Sequence, residues 1–224
     1  VCILTPSGVH ATHAIDVLDR YGTHLVIEKP MALRLEDLDR MRDAAARAGR
    51  RVFPVYQNRY NKAVQKVAAE IEAGTLGRLT LGTVRVRWCR PQRYYDQSAW
   101  RATWALDGGC LTNQGIHYID VLLRLMGDAD VVSAMKATQL VRIEVEDTMV
   151  ATLQFTSGAL GIIEVTMTAR PDDFEAEVSV LGENGVAVIA GLAANELAVW
   201  TPDPDARATH SEQIPNAYGL GHRP

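Results

Sequence analysis

The chain has 224 residues, of which 47% are hydrophobic, and it carries 23 lysines and arginines against 27 aspartates and glutamates. This length supplies a core for one large or two small domains, and the mild acidic excess excludes sequence-independent attraction to nucleic acid or to an anionic membrane. No apolar run approaches the roughly 20 residues of a membrane span, and no charged-then-apolar leader is evident, so we expect a cytoplasmic protein. Cys2, Cys89 and Cys110 include no Cys-x-x-Cys pair, which favours buried reduced thiols over disulfides or a thiolate metal site.

The first part of the chain alternates strand-like and helix-like patterns. Short apolar runs predict strands at residues 1–4, 24–27 and 51–55, and helical spacing of apolar residues predicts helices at 9–20 and 35–48. Such alternation predicts a right-handed parallel sheet, whose ligands bind at the carboxyl ends of the strands. The loops at residues 5–7, 28–30 and 57–59 are therefore the first site candidates.

Beyond the third strand the pattern changes to long strands with short turns, which predicts antiparallel hairpins. Predicted strands cover residues 79–88, 131–140, 148–155, 159–169, 175–181 and 185–190. A helix at 61–73 precedes them, and a helix at 113–126 follows the Gly108-Gly109 pair. We place a domain boundary near Tyr56, which divides the chain into residues 1–56 and 57–224.

Two side chains are candidates for proton transfer or charge stabilisation. Lys29 follows a strand and precedes a proline, so its backbone is extended and its amine projects from the ligand-binding edge of the sheet. His117 lies four residues after Asn113 on the predicted helix, and Asp120 on the same face is able to orient the imidazole. The alternatives are a solvated lysine, a structural histidine, and helix-capping roles for Asn113 and Gln114.

Residues 88–104 concentrate tryptophans, tyrosines and arginines in a segment that we predict to be mostly loop. Arginines beside stacking rings suit a nucleotide diphosphate, and the alternative is a loop packed by its own aromatic rings. His10 and His13 have the spacing of a metal pair, but no nearby Cys, Asp or Glu completes a tetrahedral site, so we predict no metal. The sequence contains no Gly-x-Gly-x-x-Gly, so these residues alone do not demonstrate dinucleotide binding.

Five motifs occur in order: Thr5-Pro-Ser-Gly-Val-His10, Glu28-Lys-Pro30, Gln57-Asn-Arg-Tyr60, Gly108-Gly109 and Asn113-Gln-Gly-Ile-His-Tyr-Ile-Asp120. Together they closely resemble, over the whole chain, the glucose-fructose oxidoreductase / inositol dehydrogenase (Gfo/Idh/MocA) family. The resemblance implies an α/β protein in which a Rossmann domain that binds NAD is followed by an open, mostly antiparallel α/β substrate domain. It also implies that Lys29 and His117 form the active-site pair.

The family's glycine-rich fingerprint precedes the strand with which this sequence opens, so about two βαβ units of roughly 30 residues each are expected to be missing. The sequence also opens without an initiator Met and stops after a turn-rich segment. We therefore expect truncation at both ends. Without the turn that cradles the pyrophosphate, the 224 residues alone are expected neither to bind NAD tightly nor to turn over.

One departure from the family pattern indicates which branch of the family the chain resembles. Most relatives have an aspartate at the position of Asn113. Together with residues 90–96, 100–101, 168–171 and 215–222, the Asn113 motif is similar to bacterial dehydrogenases that oxidise the C3 hydroxyl of UDP-N-acetylglucosaminuronic acid for surface polysaccharide. This similarity implies a UDP-sugar substrate and a homo-oligomer, a dimer or tetramer, formed through the open sheet. The implied cofactor-binding residues are Thr5, Pro6, Ser7, His10, Glu28, Lys29, Gln57, Arg59, Trp100 and Arg101. The implied substrate-binding residues are Arg90, Gln92, Arg93, Tyr94, Tyr95, Asn113, Gln114, His117, Arg170, Tyr218 and His222.

In the implied mechanism the C3 hydrogen leaves as hydride to NAD while His117 removes the hydroxyl proton and Lys29 polarises the oxygen, although the two roles are exchangeable. Asn113 orients substrate or imidazole without adding a negative charge beside an anionic substrate. The alternatives are another sugar or inositol dehydrogenase, a catalytically silent sugar-sensing regulator, and an enzyme that uses NAD transiently in glycoside hydrolysis. The choice between NAD and NADP depends on a residue outside this sequence.

Overall fold

The first sheet of the computed structural model, which describes residues 1–205, 207, 210 and 211, is small and parallel. Its strands β1 (Cys2–Ile3), β2 (Leu25–Ile27) and β3 (Val52–Pro54) lie in that order. Helices α1 (His10–Tyr21) and α2 (Leu35–Ala48) connect them and pack on each other. Each helix is followed by a glycine in the left-handed region, where a missing Cβ removes the steric penalty. All three strands therefore present their carboxyl ends at one edge.

The second sheet has seven strands. In sheet order they are β10 (Glu196–Trp200), β9 (Gly185–Ala190), β8 (Glu175–Gly182), β4 (Leu79–Arg87), β7 (Leu160–Thr166), β6 (Thr148–Phe155) and β5 (Ala129–Ala137). Among these described strands, every neighbouring pair except β4–β7 is antiparallel.

Helices α3 (Lys62–Glu72) and α5 (Ile116–Met126) belong to the core of this second sheet, and α5 packs on β4 and β8. On α5, Tyr118 is 1% exposed, so the helix that carries His117 is anchored by a large buried ring. A single turn, α4 (Gln92–Tyr95), lies in the loop after β4.

The fold class inferred from the sequence is confirmed, since a parallel sheet is followed by a mostly antiparallel one. The domain boundary near Tyr56 falls between β3 and a 3₁₀ turn at Gln57–Tyr60, and it stays a prediction. The helix expected from residue 113 differs at its start, because Leu111–Gly115 forms a π-helical turn and α5 begins only at Ile116. Gly115 approaches β7 closely there, and a Cβ on it would lie 2.7 Å from the side chain of Val165. Wide turns of this kind are frequent at functional sites.

Two elements were not expected from the sequence, namely strand β10 and the turn α4 inside the segment predicted as mostly loop. The expectation of buried thiols is correct for Cys110 but wrong for Cys2, which is exposed on an edge strand that is only two residues long. Over the described part of the chain, no helix combines the length and apolar character needed to cross a bilayer, and no cluster of three potential metal ligands occurs.

Candidate active site

The side chain of Lys29 lies just beyond the carboxyl end of β2, where the two parts of the chain meet. Its Nζ donates a 2.8 Å hydrogen bond to the backbone carbonyl of Asn113, at the start of the second part's helix. Burial lowers the pKa of the Lys29 ammonium from its ordinary value, and the carboxylates of Glu28 and Asp107 oppose that shift. An ammonium has three N–H donors, so the bond to Asn113 fixes its direction and leaves donors for a ligand oxygen.

The loop after β1 touches the loop that carries Arg101. The N–H of Gly8 donates a 2.9 Å hydrogen bond to the carbonyl of Leu106. A Cβ on Gly8 would lie 1.8 Å from the carbonyl oxygen of Ala105, so only glycine permits this approach of the two backbones. This contact sets the distance between the first sheet's binding edge and the Arg101 loop.

A buried carboxylate, Asp107, connects the Arg101 loop to the helix start. It is 4% exposed, and its Oδ2 accepts a 2.6 Å hydrogen bond from the N–H of Ala102. Its Oδ1 accepts a hydrogen bond from the amide Nδ2 of Asn113. Burial raises the pKa of the Asp107 carboxyl, and these two hydrogen bonds oppose the shift. The side chain of Asn113, a candidate for substrate binding, is therefore held in place by a buried carboxylate.

His117 lies in the first turn of α5 and faces the same cleft as Lys29. Its ring meets the ring of Tyr56 edge-on, with centroids 6.5 Å apart, and burial raises the pKa of the Tyr56 phenol. The guanidinium of Arg59 lies 5.5 Å from the Tyr56 ring centroid. Arg59 also donates hydrogen bonds of 2.7 and 2.5 Å to Asp120, the carboxylate considered as an orienting group for His117. Asp120 thus binds an arginine that is itself packed against the aromatic neighbour of His117.

Two arginines of the aromatic loop, Arg90 and Arg101, are held by polar and ring contacts at the other side of the cleft. Arg101 lies 4.6 Å from the ring centroid of Tyr94 and 4.9 Å from that of Trp100, and it donates a 2.6 Å hydrogen bond to the Tyr94 hydroxyl. Arg90 donates a 2.8 Å hydrogen bond to Asp173, which belongs to the loop between β7 and β8. Guanidinium groups fixed in this way are preorganised for phosphate or carboxylate.

Several of these side chains line one cleft of about 550 Å³, a size ordinary for small-molecule sites. The predicted site residues that line it are Lys29, Gln57, Arg90, Arg93, Tyr94, Arg101, Gln114 and His117. Candidates chosen for the cofactor and for the substrate therefore share one cavity, as expected for a site in which the two ligands react. The role of each side chain stays a prediction.

Other candidates lie outside the cleft lining. Both ring nitrogens of His10 lie 2.7 Å from backbone carbonyls, those of Thr5 and Pro30, so this buried ring ties two strand-end loops together. Arg170 borders a second depression beside β7, while Gln92 and Tyr95 border a third. The remaining candidates absent from the lining are Thr5, Pro6, Ser7, Glu28, Arg59, Trp100 and Asn113. Tyr218 and His222 lie outside the described residues.

Three buried polar atoms at the cleft have no hydrogen-bond partner among the described residues: Gln57 Oε1, Trp88 Nε1 and Arg101 Nε. Buried polar groups are normally satisfied, so these atoms fit a polar ligand that supplies both donors and acceptors. Among them, Gln57 lies in the turn that follows β3, at the carboxyl edge of the parallel sheet, where such sheets bind a nicotinamide dinucleotide.

Sequence reasoning did not select Asp107 or Asp173. Asp107 directly precedes the Gly108-Gly109 pair, and an acid next to that motif was the available signal. Asp173 gives no local sign of its role, because its partner Arg90 lies 83 residues away in the sequence. A pairing over that distance becomes visible only in the folded chain.

Comparison with known proteins identifies relatives of both parts. Residues 1–56 match the model of the oxidoreductase family with the NAD-binding Rossmann fold, and residues 64–188 match the GFO/IDH/MocA C-terminal domain. A curated relative, 1-carboxy-3-chloro-3,4-dihydroxycyclohexa-1,5-diene dehydrogenase of Comamonas testosteroni, is 34% identical over 59% of this chain and 32% of its own length. NAD is thus the cofactor of the fold to which the first sheet belongs.

Two solved structures are similar over most of the chain. The WlbA dehydrogenase from Bordetella pertussis, in complex with NADH and UDP-GlcNAcA, is 44% identical with a TM-score of 0.87, over 93% of this chain and 62% of that one. The WlbA dehydrogenase from Chromobacterium violaceum, with the same ligands, is 42% identical with a TM-score of 0.86, over 89% of this chain and 58% of that one. The present chain therefore spans about three fifths of these relatives, and it belongs to the Gfo/Idh/MocA oxidoreductase family.

Proposed function

We propose that the full-length protein is an NAD-dependent dehydrogenase that oxidises the C3 hydroxyl of UDP-N-acetylglucosaminuronic acid (UDP-GlcNAcA). The observation that carries this proposal is the cleft in which Lys29 and His117 meet Arg90, Arg93 and Arg101. A diphosphate and a carboxylate are the anions that fixed guanidinium groups recognise, and two similar structures hold NADH and UDP-GlcNAcA. A cytoplasmic location and a place in surface-polysaccharide biosynthesis belong to the same proposal.

In this proposal residues 1–56 contribute part of the cofactor side of the cleft, and residues 57–224 contribute the rest of that side and the substrate side. NAD supplies the hydride acceptor when it is bound. The imidazole of His117 removes the proton of the C3 hydroxyl, since an alcohol releases hydride only as that proton leaves. The Lys29 ammonium, aimed by the Asn113 carbonyl, stabilises the negative charge that develops on the oxygen. Burial strengthens that interaction because the local dielectric is low.

Rates on a panel of alcohols test the proposed substrate. UDP-GlcNAcA is expected to give the highest kcat/KM, and UDP-N-acetylglucosamine, which lacks the carboxylate, is expected to fall well below it. A preference for myo-inositol or levoglucosan would instead support another dehydrogenase of the family and would remove the UDP-sugar proposal. A protein that binds UDP-GlcNAcA but never reduces NAD would be the sensor considered from the sequence.

The anion-binding role of the aromatic loop predicts a specific kinetic pattern. Arg90→Ala, Arg93→Ala and Tyr94→Phe are expected to raise the KM for UDP-GlcNAcA, roughly tenfold for the arginines, because each loses a charged hydrogen bond to a remote part of the substrate. The kcat should change only a few fold, since binding lost equally in ground and transition states leaves it intact.

Arg78→Ala is the matched control, because Arg78 is an exposed arginine paired with Glu183 away from the cleft. Its KM is expected to equal that of the wild type. If all three loop variants also keep the wild-type KM, the loop is structural and the ligand anions bind elsewhere.

We propose further that two copies of the protein associate through the open face of the second sheet. Met135, Val150, Leu160 and Ile162 are exposed apolar residues of β5, β6 and β7, and an apolar patch of this kind marks an interaction surface. Ile162→Asp is expected to shift the protein to monomer in sedimentation, whereas aspartate at exposed Leu35 on α2 is expected to leave the assembly unchanged. A monomeric wild type would contradict this proposal.

A further inference from the structure

Asp107 connects two parts of the site, the Arg101 loop and the π-helical turn before α5. One of its oxygens accepts the N–H of Ala102, in the Arg101 loop, and the other accepts the amide of Asn113, in the π-helical turn. At 4% exposure this carboxylate lies beneath the cleft and is not among the residues that line it. Its position suits a group that acts through its neighbours.

On the loop side, Asp107 holds a strained residue. Ala102 has φ 58°, in the left-handed region that a residue with a Cβ adopts only at a steric cost. The 2.6 Å bond from its N–H to Asp107 stabilises this turn. Arg101 directly precedes Ala102, so the direction of the Arg101 side chain, stacked between Tyr94 and Trp100, depends on the turn.

On the helix side, Asp107 fixes the orientation of Asn113. Because the amide Nδ2 points at Asp107, the amide oxygen faces the other way and accepts a 3.1 Å hydrogen bond from Gln114 Nε2. Gln114 Nε2 also lies 3.1 Å from the hydroxyl of Tyr94, the residue that binds Arg101. The backbone carbonyl of the same Asn113 accepts a hydrogen bond from the Lys29 ammonium. One asparagine thus links the lysine to the arginine loop.

We propose that Asp107 is a positioning residue that couples the orientation of the Arg101 side chain to that of the Lys29 side chain. It does so without touching the substrate. Both of its contacts are donors, so the position requires an acceptor at each oxygen. An amide of the same shape would turn an NH₂ group toward either Ala102 or Asn113 and break one bond. The negative charge of Asp107 also offsets the two cations that it positions.

The charged and titratable groups around Lys29 define the expected electrostatic effect. They are Glu28 at the end of β2, Asp107 and Arg101 in the loop, and His117 across the cleft on α5. Asp107 raises the pKa of Lys29 against the lowering caused by burial and by Arg101. Removing this carboxylate charge must therefore move the Lys29 pKa further down.

The test is Asp107→Asn in the full-length protein, and its activity readout uses the proposed reaction with UDP-GlcNAcA. We expect kcat to fall at least tenfold, because the lysine and the arginine lose their common support. We also expect the pKa of Lys29, measured by mass spectrometry from the pH dependence of its reaction with an amine reagent, to be lower than in the wild type. This second readout needs no substrate, so it separates failure of this inference from failure of the proposed function.

The reciprocal exchange is the decisive variant. In Asp107→Asn with Asn113→Asp, the amide introduced at position 107 accepts from Ala102 with its oxygen and donates to the new carboxylate with its NH₂, so both hydrogen bonds return. We expect this double variant to recover part of the kcat lost in the single variant. The remainder stays lost because the carboxylate at position 113 adds a negative charge beside the anionic substrate. Asp96→Asn, at an exposed carboxylate of the same loop, is the control and should behave as wild type.

Three results would overturn the proposal: a single variant with wild-type kcat, an unshifted Lys29 pKa in the single variant, or a double variant no better than the single one. If Asp107→Asn fails to fold, the double variant decides, since a folded and active exchange supports the pairing and a folded but inactive exchange refutes it. An exchange that also fails to fold would give Asp107 a role in folding and would refute the positioning role.

Discussion

Lys29→Ala and His117→Ala are each expected to lower the kcat of the full-length protein at least roughly a hundredfold. Lys29 follows strand β2 of the first sheet, and His117 lies in the first turn of α5, so two titratable groups from different parts of the chain face one cleft. A base and a charge stabiliser at one hydroxyl act mainly in the transition state. NAD affinity is therefore expected to stay within a few fold of the wild type.

The double variant Lys29→Ala with His117→Ala should be little worse than the worse single variant, since residues that act as one unit are not additive. Thermal unfolding of all three serves as the folding control, and Lys62→Ala, at a lysine outside the cleft lining, serves as the matched control for kcat. A near-wild-type kcat for His117→Ala would remove the base assignment. Full activity of both singles would show that this mechanism does not apply.

The pH dependence of kcat distinguishes the two possible assignments of Lys29. Burial lowers the pKa of Lys29 from its ordinary value, so its ammonium form is lost on the alkaline side earlier than for an exposed lysine. If the ammonium stabilises the oxygen, kcat falls as pH rises through that pKa, and Lys29→Arg moves this limb to higher pH. If neutral Lys29 is instead the base, kcat rises through the same pKa.

Gly8→Ala is expected to lower the free energy of unfolding by about 2–4 kcal/mol, the sum of overpacking and a lost backbone hydrogen bond. The added Cβ would meet the backbone carbonyl of Ala105 at 1.8 Å, and a backbone cannot rotate away as the end of a side chain can. The Arg101 loop must therefore move away from the first sheet. Weaker substrate binding should accompany the loss of stability.

Gly22→Ala is the control that separates the steric clash expected in Gly8→Ala from the backbone strain of a left-handed residue. No atom lies within 4 Å of a Cβ at Gly22, whose φ of +52° carries only the left-handed penalty of about 1–2 kcal/mol. Urea unfolding measures both variants, and KM for UDP-GlcNAcA should change only for Gly8→Ala. Equal stability of the wild type and Gly8→Ala would show that the two loops separate freely and that their contact does not shape the site.

Local patterns were sufficient for much of the fold. The helix at Leu35–Ala48 was located correctly because apolar spacing marks its buried face and Gly49 marks its end. Strand β6 was located correctly because its buried and exposed positions alternate at the expected period of two. The π-helical turn at Leu111–Gly115 was not predicted, because no local pattern marks it and the close approach of Gly115 to Val165 there involves another element.

The candidate site shows the same division. Lys29 and His117 were predicted as site residues from motifs a few residues long, and both line the cleft. Asp107 was not selected because its two hydrogen-bond partners are brought together only by folding. The resemblance also implied His10 as a cofactor-binding residue, and this role stays a prediction, since both of its ring nitrogens contact backbone carbonyls. Side-chain type predicts the available chemistry, and tertiary contacts decide where it is used.

If hydride passes from C3 of UDP-GlcNAcA to the cofactor, a deuterium placed at C3 must follow the same path. The full-length protein is incubated with NAD and UDP-GlcNAcA labelled with deuterium at C3, and both products are analysed by mass spectrometry. We expect deuterated NADH in a one-to-one ratio with a keto sugar that lacks the label. Unlabelled NADH, or hydrolysis of the glycoside with the label returned to the sugar and no net NADH, would contradict it.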